Sequence, residues 1–545
     1  MSSNAQRPPI LIGLVLPLAV GALVRCVGIR GQVLADDELH TVHAALSMPL
    51  SQIFRTWTFG GADYSVPLTA LHRALMDFGM VFTELGFRWP PLLAGLLAVV
   101  LLPRFARHRI GSRAALALAW LIACSPMLVA YSRIIRPYMV TGLCIGVAAL
   151  LFDRFRQGRS RWDAAGFVLA SVLAIYSHLG AAPAIAGMLL FGAAHARQKA
   201  RDELAIAGLA AITFLLAALL VAPGLDSIIE VVRTTRDGHW PSGSVWSDTG
   251  RLLVGTPSVG VSLLAGAIWL RGLVWLIRDQ RDFAGLLVST LAAQAIGLLL
   301  LSPDRLEERL VLTRYLVVVL PLALVPLAVG TMHPWWPGAP TWGRRGEACV
   351  AAGLLVLLVA SGPLRLDPKA MGSFAHAPAS LDFVGIGNRI AKSQLPDFYR
   401  ELARSPEPAP LIEYPWQNLS YHVFDAYQRH HHQPLQIASV LDRSDEFRIA
   451  LRSRVEPQPE AMLRSRARHI VVHLDLRGEA LRIESSDPSF EKWLRARRNL
   501  WTPLQRAGTG MARRLEGEWG EPDYRDEHIA AWDLERIRAT SGGMP

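Results

Sequence analysis

The sequence predicts a mainly α-helical, polytopic membrane protein, a bundle of about eleven transmembrane helices followed by a soluble α/β domain. Three observations carry this. Apolar residues gather into runs of roughly 18–22 residues as far as Pro363 and into none beyond it; that length lets an α-helix cross a hydrocarbon core about 30 Å thick. The short loops between runs are rich in arginine. The segment after Pro363 has the mixed polar and apolar character of a water-soluble chain.

Spans are predicted near 9–29, 89–106, 114–131, 137–153, 163–177, 179–195, 203–222, 258–277, 283–301, 313–331 and 347–363. In lipid each must satisfy its own backbone hydrogen bonds, so each is read as a helix. The first is a signal anchor rather than a cleaved leader: it is long, lacks a convincing cleavage site and is followed by further runs. Residues 66–84 (VPLTALHRALMDFGMVFTE) are apolar enough to invite another span. They carry His72, Arg73 and Asp77 at helical spacing, however, which suits a helix lying in the interface.

The positive-inside rule separates the two readings. With 66–84 left out and the N-terminus in the cytoplasm, every cytoplasmic loop is basic. The loops hold Arg104, Arg107, Arg109 and Arg113; Arg154, Arg156, Arg159 and Arg161; Arg197, Lys199 and Arg201; Arg278 and Arg281; Arg344 and Arg345. Counting 66–84 as a span would put all of these outside. Residues 30–88 are then a long outer loop with juxtamembrane helices, and 131–136, 178, 223–257 and 302–312 also face outward. Two domains are expected: a membrane domain over 1–363 and a soluble outer domain over 364–545. In the second, LIEYPW (411–416) and HIVVHLDL (469–476) read as buried strands, with helical patterns at 381–403 and 458–468.

A net charge of +11 can signal nucleic acid. Here the basic residues sit in loops between apolar runs, which excludes that reading in favour of membrane topology. Lysine occurs only at Lys199, Lys369, Lys392 and Lys492; arginine in its place, with abundant Ala and Leu, points to a GC-rich bacterium. The expected location is therefore the bacterial cytoplasmic (inner) membrane. Cys26, Cys124, Cys144 and Cys349 lie in or beside apolar runs, so the tail has no disulfide framework, and no CxxC or Cys/His metal spacing occurs. No internal repeat is evident.

Asp36-Asp37-Glu38, just beyond the first span, is the strongest chemical signal. Three acids beside a membrane are either a hydrated loop or functional carboxylates: a general base, or groups that orient an acceptor or a metal. Arg133 and Arg136 in YSRIIRPY (131–138), and Arg305, Arg309 and Arg314, put guanidinium forks on the outer side against the usual bias. Such forks fit phosphate oxygens. For Arg305 and Arg309 the plainer reading is headgroup anchoring or pairing with Glu307 and Glu308; for Arg136 and Arg314 both readings stay open. His178 reads as a capping or hydrogen-bonding residue, and Trp240 and Trp246 as interface anchors. The run His430-His431-His432 reads as solvated surface.

The order of these pieces resembles the GT-C fold membrane glycosyltransferases that use polyprenyl-phosphate donors, such as the protein O-mannosyltransferases and the aminoarabinose transferases. Asp37-Glu38 follows span one, like the family's Asp-Glu motif. Ser65-Val66-Pro67-Leu68 stands where relatives often show His-Pro-Pro-Leu, and Arg88-Trp89-Pro90 resembles their Arg-Leu-Pro. Ser125-Pro126, Tyr131-Ser132 and Arg136-Pro137-Tyr138 resemble Ser-Pro, Tyr-Ser and Arg-x-Tyr, and Arg314-Tyr315-Leu316 opens a late span. The resemblance covers roughly 9–363.

It implies a lipid-linked sugar as donor, an acceptor glycan, lipid or protein, and transfer on the outer face with inversion. Asp37 would be the general base, with Glu38 and Asp36 positioning it or holding a divalent cation, which is optional among relatives. Arg136 and Arg314, and less directly Arg88, would bind the donor phosphate, supported by Tyr131, Tyr138 and His178. Relatives often carry an acid where this chain has Ile134. That departure, with the altered Pro motif, favours the alternative: a non-catalytic lipid-binding or envelope-assembly protein on the same scaffold. A transporter is a weaker third reading, since no repeated halves occur.

Overall fold

The computed structural model describes residues 10–27, 29, 38, 41–42, 44–45, 48–59, 62–80, 84–196, 200–235, 240–256, 258–301, 306, 309–332, 349, 352–353, 356, 390–405, 409–415, 421–431, 435–436, 459–463, 467–483 and 498–540. The chain forms two compact units. One holds residues 1–27, 65–68 and 88–365; the other holds 28–64, 69–87 and 366–545.

The first unit is a helix bundle. After α1 (Ile10–Cys26), α4 runs over Glu84–Cys124, α5 over Pro126–Ser132, α6 over Tyr138–Gly158, α7 over Arg161–Ser177, α8 over Ala182–Ala196 and α9 over Ala200–Val221. In chain order α2 (Leu50–Ile53) and α3 (Val66–Asp77) come between α1 and α4 and, apart from residues 66–68, belong to the second unit. Two amphipathic helices, α10 (Leu225–Thr235) and α11 (Gly243–Val254), precede α12 (Val259–Asp279), α13 (Arg281–Leu301), α14 (Arg309–Leu316) and α15 (Leu320–Met332). Among the described residues, 7 helices are long and apolar enough to cross a membrane. Each expected span up to 313–331 coincides with a helix, and 347–363 lies almost wholly outside the described residues.

Two features depart from the expected spans. The second and third share α4, which breaks at Gly111 (φ 76, ψ 166), a conformation open to glycine because it has no Cβ. The third does not run to 131. Ser125 precedes Pro126 and is extended (φ −60, ψ 118), so α4 stops at Cys124 and Pro126 opens the short α5. Large apolar side chains point outward along the helices, as Trp89, Leu93 and Leu97 do on α4 and Leu204, Leu215 and Leu219 on α9. Stripes of this size face lipid comfortably and water poorly.

Glycines set the closest helix crossings. A Cβ at Gly272 of α12 would stand 1.8 Å from the Pro326 carbonyl oxygen on α15, and one at Gly330 would stand 2.0 Å from that of Ile268. Between α8 and α13 the Ser289 hydroxyl donates to the Gly187 carbonyl at 2.8 Å. Near the far end of α6 the buried Asp153 receives Arg109 from α4 through two bonds, Nε–Oδ2 2.8 Å and Nη2–Oδ1 2.7 Å. Gln157 donates to the same carboxylate at 2.7 Å, and Arg109 also reaches Gln280 at 3.0 Å.

In the second unit, residues 69–77 of α3 bury His72, which stacks on Phe87 with centroids 4.3 Å apart. Arg73 pairs with Asp77 at 2.5 Å one turn on. Among the described residues the helix of this segment covers Val66–Asp77, 12 residues, and is not among those long and apolar enough to span. The hairpin β1 (Thr58–Phe59) and β2 (Ala62–Asp63) precedes it.

The tail folds around a five-stranded sheet of order β4-β3-β5-β7-β6. Strands β3 (Leu411–Tyr414), β4 (Leu435–Gln436) and β5 (His469–His473) are parallel, and β7 (Ile529–Asp533) runs antiparallel to β5 and to β6 (Tyr524–Arg525). Helices α16 (Asp397–Leu402), α17 (Tyr421–His431) and α19 (Leu476–Leu481) bring Tyr399, Tyr427 and Leu476 against Leu411, Val471 and Ala531. The opposite face packs Ile412, Ile470, Val472 and Trp532 beneath Met462 of α18 (Pro459–Leu463), Met511 and Leu515 of α20 (Arg498–Trp519) and Ile537 of α21 (Leu534–Thr540). Both faces are covered, in keeping with the reading of LIEY and HIVVH as buried strands. His431 departs from its reading as solvated surface: it is buried and stacks on Tyr399 at 5.4 Å.

Candidate functional site

The site grows from the break at Pro126. Because α5 is only about two turns long, the chain leaves it at Ser132 and crosses to α6 in a tight turn closed by Arg136 N–H on the Ile134 carbonyl at 2.7 Å. Pro137 ends that turn and starts α6, so Tyr131, Arg133, Arg136 and Tyr138 emerge within one short stretch, all buried.

Aromatic rings then link this turn to two other elements. Tyr131 and Tyr138 meet edge to face at 5.1 Å, and Tyr138 meets His178 in the same manner at 5.3 Å. His178 caps the C-terminus of α7 in an extended conformation (φ −156, ψ 109), which turns its ring to stack on Tyr315 of α14 at 5.6 Å. The Arg136 guanidinium lies 5.7 Å from the Tyr138 centroid, and that of Arg314 5.7 Å from the Tyr315 centroid. Rings at this distance favour a cation over their faces. Gln294 of α13 fixes the far side by donating to the Gly180 carbonyl at 2.8 Å and that of Tyr315 at 3.2 Å.

Five of the residues singled out in the sequence (Tyr131, Arg136, Tyr138, His178 and Arg314) therefore belong to one assembly drawn from α5, α6, α7 and α14. Arg88 is fully buried in the first turns of α4. Glu38 is a buried helical residue of the second unit, while Asp36, Asp37 and Arg305 lie outside the described residues. Among the described residues no set of three His, Cys, Asp or Glu side chains converges to hold a metal ion. Chemically, two guanidiniums tied through three rings can receive a phosphate by charge-assisted, fork-like hydrogen bonds.

One residue of this region escaped the sequence reading. Arg25 stands in the apolar α1, fully buried. Its Nε donates to Ser132 Oγ at 3.1 Å, its Nη1 to the carbonyls of Gly21 at 3.1 Å and Ala123 at 2.8 Å, and its Nη2 to that of Ile122 at 3.1 Å. An arginine within an apolar run was the available signal, since such a charge is costly without a task.

Residues 68–223 match the family model described as dolichyl-phosphate-mannose-protein mannosyltransferase. No curated protein matches the chain by sequence. Among solved structures, ArnT from Cupriavidus metallidurans in the apo state is similar at 16% identity over 97% of this chain and 98% of that one, with a TM-score of 0.51. The same protein bound to undecaprenyl phosphate is similar at 17% identity over 84% and 92%, with a TM-score of 0.50. The Archaeoglobus fulgidus oligosaccharyltransferase AglB aligns at 12% identity over 90% of this chain and 73% of its own, with a TM-score of 0.46. The chain thus carries the GT-C fold expected from its sequence, and it is similar to a protein that binds undecaprenyl phosphate and, over 68–223, to a family described as mannosyltransferases.

Proposed function

We propose that the protein transfers a sugar from a polyprenyl-phosphate donor to an acceptor glycan, lipid or protein at the outer face of the bacterial cytoplasmic membrane. The observation that carries this is the coupling of Arg136 and Arg314 through Tyr138, His178 and Tyr315. The binding of undecaprenyl phosphate by ArnT, which shares the fold, supports a lipid phosphate as the ligand.

In this reading the acceptor hydroxyl gives its proton to Asp37 while its oxygen bonds to the anomeric carbon. The bond from that carbon to the phosphate oxygen breaks, and its electron pair leaves with the polyprenyl phosphate. Attack opposite the phosphate inverts the configuration. Arg136 and Arg314 stabilise the charge that grows on the leaving phosphate, with Arg88 as a further candidate, and Glu38 and Asp36 position Asp37. A divalent cation, where one binds, would fall to the same acids and add positive charge beside the phosphate.

The test is transfer of radiolabelled sugar from a panel of polyprenyl-phosphate donors in membranes, together with binding of undecaprenyl phosphate by the purified protein. Asp37→Asn should abolish transfer and keep membrane insertion; full transfer by that variant removes Asp37 from the mechanism. Arg136→Gln and Arg314→Gln should each weaken lipid-phosphate binding by about tenfold, the worth of a charged hydrogen bond. Binding without transfer for every donor would favour the non-catalytic reading, which the buried Ile134 supports.

A further inference from the structure

Pro126 creates a defect that the chain must repair. In a continuous helix the N–H of residue 126 would bond the carbonyl of Ile122; proline has none to give. The carbonyls that end α4 are therefore left without intrahelical donors in a region where water is scarce. Arg25 supplies those donors from α1, at 3.1 Å to Ile122 and 2.8 Å to Ala123. Its remaining bond to another element goes to Ser132 Oγ at the end of α5, and Ser132 in turn donates to the Leu128 carbonyl at 2.5 Å. The guanidinium thus ties the end of α4 to the end of α5.

The surroundings are cut to this fit. A Cβ at Gly95 of α4 would stand 2.2 Å from Ser132 Oγ and 2.9 Å from Arg25 Nε, and one at Gly21 would stand 3.4 Å from Arg25 Nη1. All four acceptors of Arg25 are uncharged. A charge held this deep without a carboxylate partner contributes little to stability on its own account, so its place needs another reason. Ser132 is followed directly by the turn that carries Arg133 and Arg136.

We infer that Arg25 is a positioning residue for the donor phosphate: by pinning Ser132 to the end of α4 it sets the turn that aims Arg136. This rests on the reading of Arg136 as a phosphate-binding residue. Lysine is a poor replacement, because its compact ammonium has three donors and no planar fork to reach the four acceptors that Arg25 bonds.

The experiment measures undecaprenyl phosphate binding by the full-length protein in detergent for the wild type, Ser132→Ala, Arg25→Lys, Arg136→Gln and the Ser132→Ala/Arg136→Gln double variant. Ser132→Ala and Arg25→Lys should each weaken binding by about tenfold, and Ser132→Ala should add nothing once Arg136 is gone, since it acts through that side chain. Should Arg25→Lys fail to fold, Ser132→Ala and the double variant decide alone. If Arg136→Gln weakens binding but Ser132→Ala and Arg25→Lys bind like wild type, or if the two losses in the double variant add, the positioning role is overturned while the site stands. If the wild type does not bind the lipid, or Arg136→Gln does not weaken it, the site reading falls and the positioning role with it.

Discussion

Asp153 shows what a single side chain can carry. It is fully buried, and Arg109 engages both of its oxygens. Asp153→Asn removes the charge that offsets the half-buried Arg109, and leaving such hydrogen-bonding groups without their charged partner costs about 1–3 kcal/mol. A marked drop in the thermal unfolding midpoint in detergent is expected; an unchanged midpoint would show that the pair contributes nothing. His72 gives a pH-dependent counterpart. Burial pushes it down to about 4 from 6.5, so its contribution is complete above 6.5 and is lost as the pH falls toward 4. Residues of this kind were partly legible. The arginines and tyrosines of 131–138 stood out because guanidiniums on the side expected to face outward break the topology bias. Arg25 did not, because a charge inside an apolar run yields its meaning only once Ile122, Ala123 and Ser132 are seen around it. His431 misled for the opposite reason: three adjacent histidines look hydrated, and nothing local reports that Tyr399 covers one of them.

Helices of the membrane unit were legible because lipid leaves the backbone only one way to satisfy itself. Their ends were less so. The third span was read through Pro126, and only the extended Ser125 shows where α4 yields to α5. In the tail, β3 and β5 announced themselves as apolar runs. By contrast β7 (IAAWD), with two alanines and an aspartate, and the polar α20 gave no such signal, since their apolar positions depend on both sheet faces being covered. At this scale the crossing of α12 and α15 makes a sharp prediction. Gly272→Val places side-chain atoms where the Pro326 carbonyl stands 1.8 Å from even a Cβ. Forcing the backbones apart should cost at least the roughly 1–3 kcal/mol of ordinary overpacking, read as a lowered unfolding midpoint. Gly266→Val on the same helix, where a Cβ meets nothing within 4 Å, should leave it in place.

For the molecule as a whole, acidity and sidedness are the measurable properties. Beneath α17 the tail buries a polar network: Tyr399 donates to Glu413 at 2.7 Å, Tyr427 to Glu479 at 2.7 Å, and His473 Nδ1 lies 2.9 Å from Glu479 Oε2. His473 Nε2 stands 4.0 Å from Glu413. Burial raises Glu413 to about 7, against the pull of His473 and Tyr399. Burial lowers His473, but Glu479 and Glu413 outweigh it and leave it above 6.5. Both folded values exceed the unfolded ones, so this stabilisation is complete below about 4.5 and fades as the pH rises through 7 and beyond. Amide exchange of β3 and β5, corrected for intrinsic rate, should quicken from pH 5 to pH 8, and Glu413→Gln should flatten that slope. The outward-facing tail is a proposal that rests on the arginine-rich loops. A cysteine at Ser393, in a chain with the native cysteines replaced by serine, should react with an impermeant maleimide on intact spheroplasts. Reaction only after lysis would reverse the topology.

The break at Gly111 has its own outcome for protease access. Arg104, Arg107, Arg109 and Arg113 cluster around it, a stretch any trypsin map would mark for cleavage. Yet helix runs up to the glycine and resumes at once after it, and a protease must draw several residues out straight before it can cut. Digestion of inverted vesicles should therefore leave the two spans of α4 joined as one fragment, despite the four arginines around the break.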